Sequence, residues 1–273
     1  MDMANARARI LSLVRRGAPV AWCPSWMRLG NLLYQGLWAE AHTGARLLLH
    51  PEHAEILQRV APRMAAELCV PRSRVPFTAR RVRPWESEER GGEWFEPSNL
   101  QDFIESYVLP GSEIARTPAL RGAFVVNIRR GDYYSVPQYR AEFGMGQISY
   151  VSRAVEESIR RNGGPERFMV ISDDQSWARE HIGPVLRRYA SVEHPEGDAV
   201  RDLAVLAGAE RLLLPNSTFS YWGGYIGDVL RPGREVIAPW FWARGSQDGR
   251  SHHLRRHWTI VGDSAPAEDE IDE

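Results

Sequence analysis

With 273 residues, 43% hydrophobic and 10% aromatic, the chain has apolar material for one or two cores. Its formal net charge of -1 excludes bulk attraction to nucleic acid or to an anionic membrane, though not local patches. All 34 basic residues are arginine, which excludes Schiff-base and P-loop lysines and the enzyme classes that depend on them.

From the start, Met1 to Arg16 mixes arginines with aliphatics but lacks the continuous apolar run of a signal peptide, and no later run approaches a membrane span. A soluble, cytoplasmic protein is expected. Ala4 to Arg16 reads as a solvated basic helix, with membrane contact at most peripheral. Cys23 and Cys69 have no paired-ligand spacing and read as structural thiols in a reducing compartment. From Ser25 a glycine turn, Arg28-Leu29-Gly30-Asn31, runs into a helix-compatible segment ending near Ala41. Exposed N–H groups at a helix start favour anions, so the turn is a candidate phosphate contact; the alternative is Asn31 as N-cap with Arg28 solvated. Arg46 to His50 reads as a buried strand and Pro51 to Leu68 as a helix. Pro71 to Asn99, rich in arginine, proline, glutamate and glycine, reads as a surface loop or lid. Asn99 to Val108 looks helical, and Pro110-Gly111 through Pro118 breaks the pattern. That break divides the chain into an N-terminal domain, 1–118, and a C-terminal domain, 119–262.

The second half has the clearer rhythm. Strands are expected at Ala123–Ile128, Arg167–Ser172 and Arg211–Leu214. Helices are expected at Ser149–Arg161, Gln175–His181, Asp198–Ala207 and onward from Tyr221. Strands alternating with helices imply a parallel sheet covered on both faces, with ligands beyond the carboxyl ends of its strands. Asn127 to Asp132, Ser172 to Asp174 and Asn216 to Ser220 fall at such ends. The acidic tail, 263–273, has too little apolar content to pack and reads as disordered.

The strand-end segment Phe124 to Tyr133 delivers Arg129, Arg130 and Asp132 onto Gly131. A fixed, forked guanidinium suits a diphosphate; the alternative is a structural ion pair between Arg130 and Asp132. Asp173 and Asp174 read as caps of the following helix in preference to ligand contacts. Trp222, Trp240 and Trp242 read as packing residues. His252, His253 and His257, without cysteines or a placed carboxylate, read as a solvated stretch and not a zinc site.

Four segments resemble, in order, those of the α-1,2-fucosyltransferase family, inverting enzymes that use GDP-fucose. Arg28 to Asn31 is similar to its G-R-L-G-N-Q turn, and Asn127 to Asp132 to its H-x-R-R-x-D motif. Phe168 to Trp177 resembles F-x-x-F-S-D-D-x-x-W. Arg201 to Ala207, followed by Asn216 to Gly223, resembles the D-L-x-x-M and N-S-T-F-S-x-W-x-A pair. The chain departs from the pattern at Asn127, where the family has histidine, at Leu32, where it has glutamine, and at Met27, where it has glycine.

The resemblance implies an α/β chain of GT-B type, two Rossmann-like domains facing a cleft, transferring fucose from GDP-fucose to a glycan hydroxyl, galactose O2 foremost. Transfer would invert the anomeric centre. No metal or other cofactor is implied, and no D-x-D triplet is present. By position, Arg129 would stabilise the leaving diphosphate, with Asp132 orienting it or acting as base and Glu40 as a second candidate base. Arg28, Gly30, Asn31, Asn127, Arg130, Asn216, Ser217 and Thr218 would contact the donor, and Asp202 would accept from guanine N1 and N2. The partners implied are a GDP-sugar and a glycan, with no nucleic acid. A different GDP-sugar, or GDP binding without turnover, stays open because of Asn127.

Overall fold

The computed structural model describes residues 14–86, 96–266 and 271. The chain divides into two compact units, Met1–Ala115 and Arg116–Glu273.

In the N-terminal unit four parallel strands, β1 (Gly17–Ala21), β2 (Arg46–Leu49), β3 (Cys69–Pro71) and β4 (Ala79–Val82), lie in the order β3-β2-β1-β4. Helix α1 (Leu29–Ala41) connects β1 to β2 and buries Leu32, Leu33 and Leu37. The expected helix from Pro51 to Leu68 is two helices, α2 (Pro51–Val60) and α3 (Pro62–Glu67). Ala61 stands between them at φ -144, ψ 64, because a residue before proline is pushed out of the helical region. Strand β4 falls inside the stretch expected to be a loop. Its Arg80 and Arg81 are both exposed, which erases the alternation that marks a half-buried strand. Of that expected loop, 87–95 lie outside the described residues, as do 4–13 of the expected N-terminal helix. Helix α4 (Pro97–Phe103) passes into a π turn, Ile104–Val108.

The C-terminal unit holds six parallel strands: β5 (Leu120–Ile128), β6 (Arg167–Ser172), β7 (Ser191–Glu193), β8 (Ala209–Leu213), β9 (Glu235–Pro239) and β10 (Thr259–Val261). Their order is β10-β9-β8-β5-β6-β7. The chain runs outward from β5 through β6 and β7, then returns to the other side of β5 and runs outward again. The reversal lies between β5 and β8, the position at which open parallel sheets bind ligands. Phe124, Val125 and Val126 on β5 are fully buried, as a strand covered on both faces requires. Covering and connecting helices are α5 (Gly131–Ser135), α6 (Pro137–Phe143), α7 (Gln147–Asn162), α8 (Gln175–Trp177), α9 (Gly183–Leu186), α10 (Ala199–Gly208) and α11 (Thr218–Leu230). A π turn, Ala178–Ile182, joins α8 to α9 within the expected Gln175–His181 helix. Helix α11 starts ahead of the expected Tyr221. Both units are parallel α/β structures, as the fold class predicts. Of the acidic tail, 267–270, 272 and 273 lie outside the described residues, and Arg244 Nη2 donates to the Pro266 carbonyl at 2.8 Å.

Candidate active site

At the carboxyl end of β5 the chain leaves the sheet as Arg129-Arg130-Gly131. The register sets Ile128 beside Ser172, so the next residue on each strand, Arg129 and Asp173, emerge side by side. Arg129 Nη1 lies 2.7 Å from Asp173 Oδ2, and Nη2 pairs with Asp132. Asp173 Oδ1 accepts from the Arg130 N–H at 2.8 Å, and Gln147 Nε2 donates to the Arg129 carbonyl at 2.6 Å. Arg129 is therefore held at guanidinium and backbone alike. Gly131 makes this possible: at φ +22 a Cβ would stand 2.3 Å from Asp173 Oδ2.

Asp132, which the alternative reading paired with Arg130, pairs with Arg129. Arg130 turns inward, with its guanidinium carbon 3.8 Å from the ring centroids of both Tyr134 and Trp177, and its Nε lies 4.0 Å from Asp174 Oδ2. It is 6% exposed, sandwiched between two aromatic faces. The two aspartates divide their work. Asp174 caps α8 by accepting from the Trp177 N–H at 3.1 Å, whereas Asp173, read from sequence as a second cap, clamps Arg129. Opposite charges following two neighbouring strands were the signal for Asp173, but it acquires meaning only from the pairing.

Across the reversal, β8 ends and Pro215-Asn216-Ser217 lead into α11. Ser217 is the N-cap residue and supplies no side-chain cap bond, nor is there an acid in the first turn, so the amino-terminal N–H groups of this 13-residue helix face the strand ends unpartnered by side chains. Asn216 is buried and donates to the carbonyls of Phe143 at 2.9 Å and Trp242 at 2.8 Å, so its amide ties two loops together. Asn127 is likewise engaged inside the protein. Its Nδ2 donates to the Ile171 carbonyl at 2.9 Å and its Oδ1 accepts from Ser220 Oγ at 2.5 Å, bridging β5, β6 and α11.

Asp202 lies in the first turn of α10, the helix that leads into β8. Its carboxylate is half-buried and has no hydrogen bond or ion pair among the described residues. Burial, reinforced by Asp198 and opposed by Arg201, pushes its pKa up to about 6. A partly desolvated acid without a partner is the environment expected of a ligand-binding carboxylate.

Arg28, Gly30 and Asn31 stand at the amino end of α1 in the N-terminal unit. Arg28 is the exposed N-cap residue, which overturns the expectation of Asn31 as cap; Asn31 is in the first turn. Glu40 is exposed and roughly 14–18 Å further along the same helix than the residues of that turn. Trp222 is fully buried. His257 pairs with Asp228 at 2.8 Å, and His253 packs edge-on to Trp242, with burial lowering its pKa to about 3. Among the described residues no cluster of histidines, cysteines and carboxylates could hold a metal.

Residues 119–237 match the sequence profile of glycosyl transferase family 11. An α-1,2-colitosyltransferase of Escherichia coli is 25% identical over 157 residues, 57% of this chain and 51% of that protein. Galactoside α-(1,2)-fucosyltransferase 1 of Saimiri sciureus is 26% identical over 243 residues, 74% of this chain and 64% of the relative. The same enzyme of Bos taurus is 30% identical over 129 residues, 45% and 35% of the two chains. This chain thus spans about half to two thirds of the first two relatives. Among solved structures, an E. coli heptosyltransferase WaaC with ADP aligns at a TM-score of 0.46 and 10% identity, over 92% of this chain and 93% of that one.

Proposed function

We propose that this chain, which carries a glycosyl transferase family 11 segment over residues 119–237, transfers fucose from GDP-fucose to a hydroxyl of a galactose-type glycan with inversion. One observation carries the reading. At the sheet's reversal a clamped guanidinium (Arg129), an uncapped helix amino end (Ser217, Thr218) and a partnerless half-buried carboxylate (Asp202) come from neighbouring elements of one unit. Together they offer cationic and N–H donors for a diphosphate and an acceptor for the N1 and N2 donors of guanine.

In the proposed reaction the acceptor hydroxyl attacks the anomeric carbon as the bond to diphosphate breaks. Negative charge grows on the leaving group, and donors already fixed there need no reorganisation. Arg129 meets the β-phosphate. The Asp132 and Asp173 pairs orient it, so Asp132 acts through Arg129, and Arg130 serves the site through its backbone and its packing. Ser217, Thr218 and the first N–H groups of α11 bind the diphosphate, and the Arg28, Gly30 and Asn31 turn is an anion contact of the N-terminal unit. Arginine and helix dipole supply the charge, so turnover is expected to survive chelation of divalent ions. The compartment we assign is the cytoplasm.

A second reading, GDP binding without turnover, is favoured by the amide of Asn127. At the family's histidine position both of its polar atoms are occupied by protein.

Calorimetric titration with GDP, UDP and GDP-fucose, followed by mass-spectrometric search for deoxyhexose on a panel of galactosides, separates the readings. Transfer supports the first, GDP binding without product supports the second, and no affinity for any guanine nucleotide removes both.

A further inference from the structure

The N-terminal unit concentrates charge that the overall balance hides. Between Cys69 and Arg83 there are five arginines and no aspartate or glutamate, in a chain of formal net charge -1. Arg72, Arg74, Arg80 and Arg81 are exposed, and neither they nor Arg15 take part in an ion pair among the described residues. Arg81 lies 4.1 Å and Arg72 5.6 Å from the ring centroid of Trp22, and Arg15 5.4 Å from that of Phe77. Partial desolvation, then the charges of Arg15 and Arg72, lower the pKa of Arg81, a sign that these guanidinia repel one another. A cluster that repels itself and has no ion-paired carboxylate among the described residues gains from an external anion.

The same face is also apolar. Phe77 is 61% and Val14 43% exposed beside Arg15, and a hollow of about 150 Å³ opens among Val20, Val70, Val75 and Pro76, with Arg46 on its wall. Charge on β4 guards an open sheet edge, but edge protection requires neither Arg72, which lies on the connection from β3, nor an exposed phenylalanine. A soluble polyanion would use the arginines and leave Phe77 idle. Guanidinia flanking an exposed aromatic and an apolar hollow match the headgroup and acyl layers of a bilayer in turn.

We propose that this face of the N-terminal unit docks on an anionic lipid bilayer. The assignment does not depend on the transferase reading.

The test is sedimentation of the full chain with vesicles of phosphatidylcholine, alone or mixed with phosphatidylglycerol. Binding is expected only to the anionic vesicles and to weaken with ionic strength. Arg72→Gln and Arg81→Gln should each lower the partition coefficient about fivefold, the roughly 1 kcal/mol of one surface basic residue, and Phe77→Ser should lower it further at high salt. Circular dichroism and thermal melting of each variant show whether it is folded. Absence of binding to anionic vesicles overturns the proposal. So do folded variants that bind like the parent, or capture by a soluble acidic polysaccharide without vesicle binding.

Discussion

Asp202 and Arg129 are the two residues on which the proposed donor site turns, and their environments make opposite demands. Asp202 has a pKa raised to about 6 from an ordinary 3.8, so the folded protein holds this proton more tightly than the unfolded chain. The sign follows: ionising Asp202 costs folding stability that is lost as pH rises from about 4 to about 6, with the penalty constant above. In the proposed site, accepting from the N1 and N2 donors of guanine calls for the ionised form. GDP affinity is therefore expected to be full well above pH 6 and to fall as pH drops through about 6, as calorimetry across that range would record. Asp202→Asn should flatten this dependence and weaken GDP by about 1–3 kcal/mol, since its amide presents a donor to base donors. Arg129 has its charge balanced by Asp132 and Asp173 and is aimed by them. Arg129→Ala should lower kcat roughly 10²–10³-fold, the scale of one fixed donor to a developing anion, and lysine, lacking the fork, should restore little. Single-turnover rates would measure both. At this scale sequence disclosed the residue types but not their bonds: nothing local says that Asn127 is committed to Ile171 and Ser220.

Among elements, the β5–α5 turn is the most constrained. Gly131 has a positive φ, and any Cβ would collide with the carboxylate that clamps Arg129. Gly131→Ala is expected to cost about 1–2 kcal/mol in backbone strain and to push Asp173 away, so kcat should fall with the protein still folded. Urea unfolding beside kinetics would show both effects. Strands β5 and β6 were legible because each is a continuous apolar run, whereas β3, β7 and β10 are three residues each, too short to show a period. Helix α11 begins before its sequence signal because Ser217 and Thr218 take their conformation from the turn after β8, not from apolar spacing.

For the whole molecule, the sheet and its helices are locked by one buried arginine. The Arg234 side chain is 2% exposed, pairs with Asp228 at 3.0 Å, and donates to carbonyls of Leu206, Ala209, Gly223 and Gly224, joining the ends of α10, the start of β8 and the middle of α11. Arg234→Ala leaves Asp228 without this partner and several carbonyls unbonded. The expected loss is about 3–5 kcal/mol, read as a lower midpoint in urea. The alternation of apolar runs with helical spacing, acting between near neighbours, was enough to declare parallel α/β units and to place charged motifs at strand ends. Strand order was not contained in it. Which carboxylate faces Arg129, and that β8 returns beside β5 so that Ser217 and Arg129 share one edge, depend on contacts between residues distant in the chain, and only the assembled sheet fixes those.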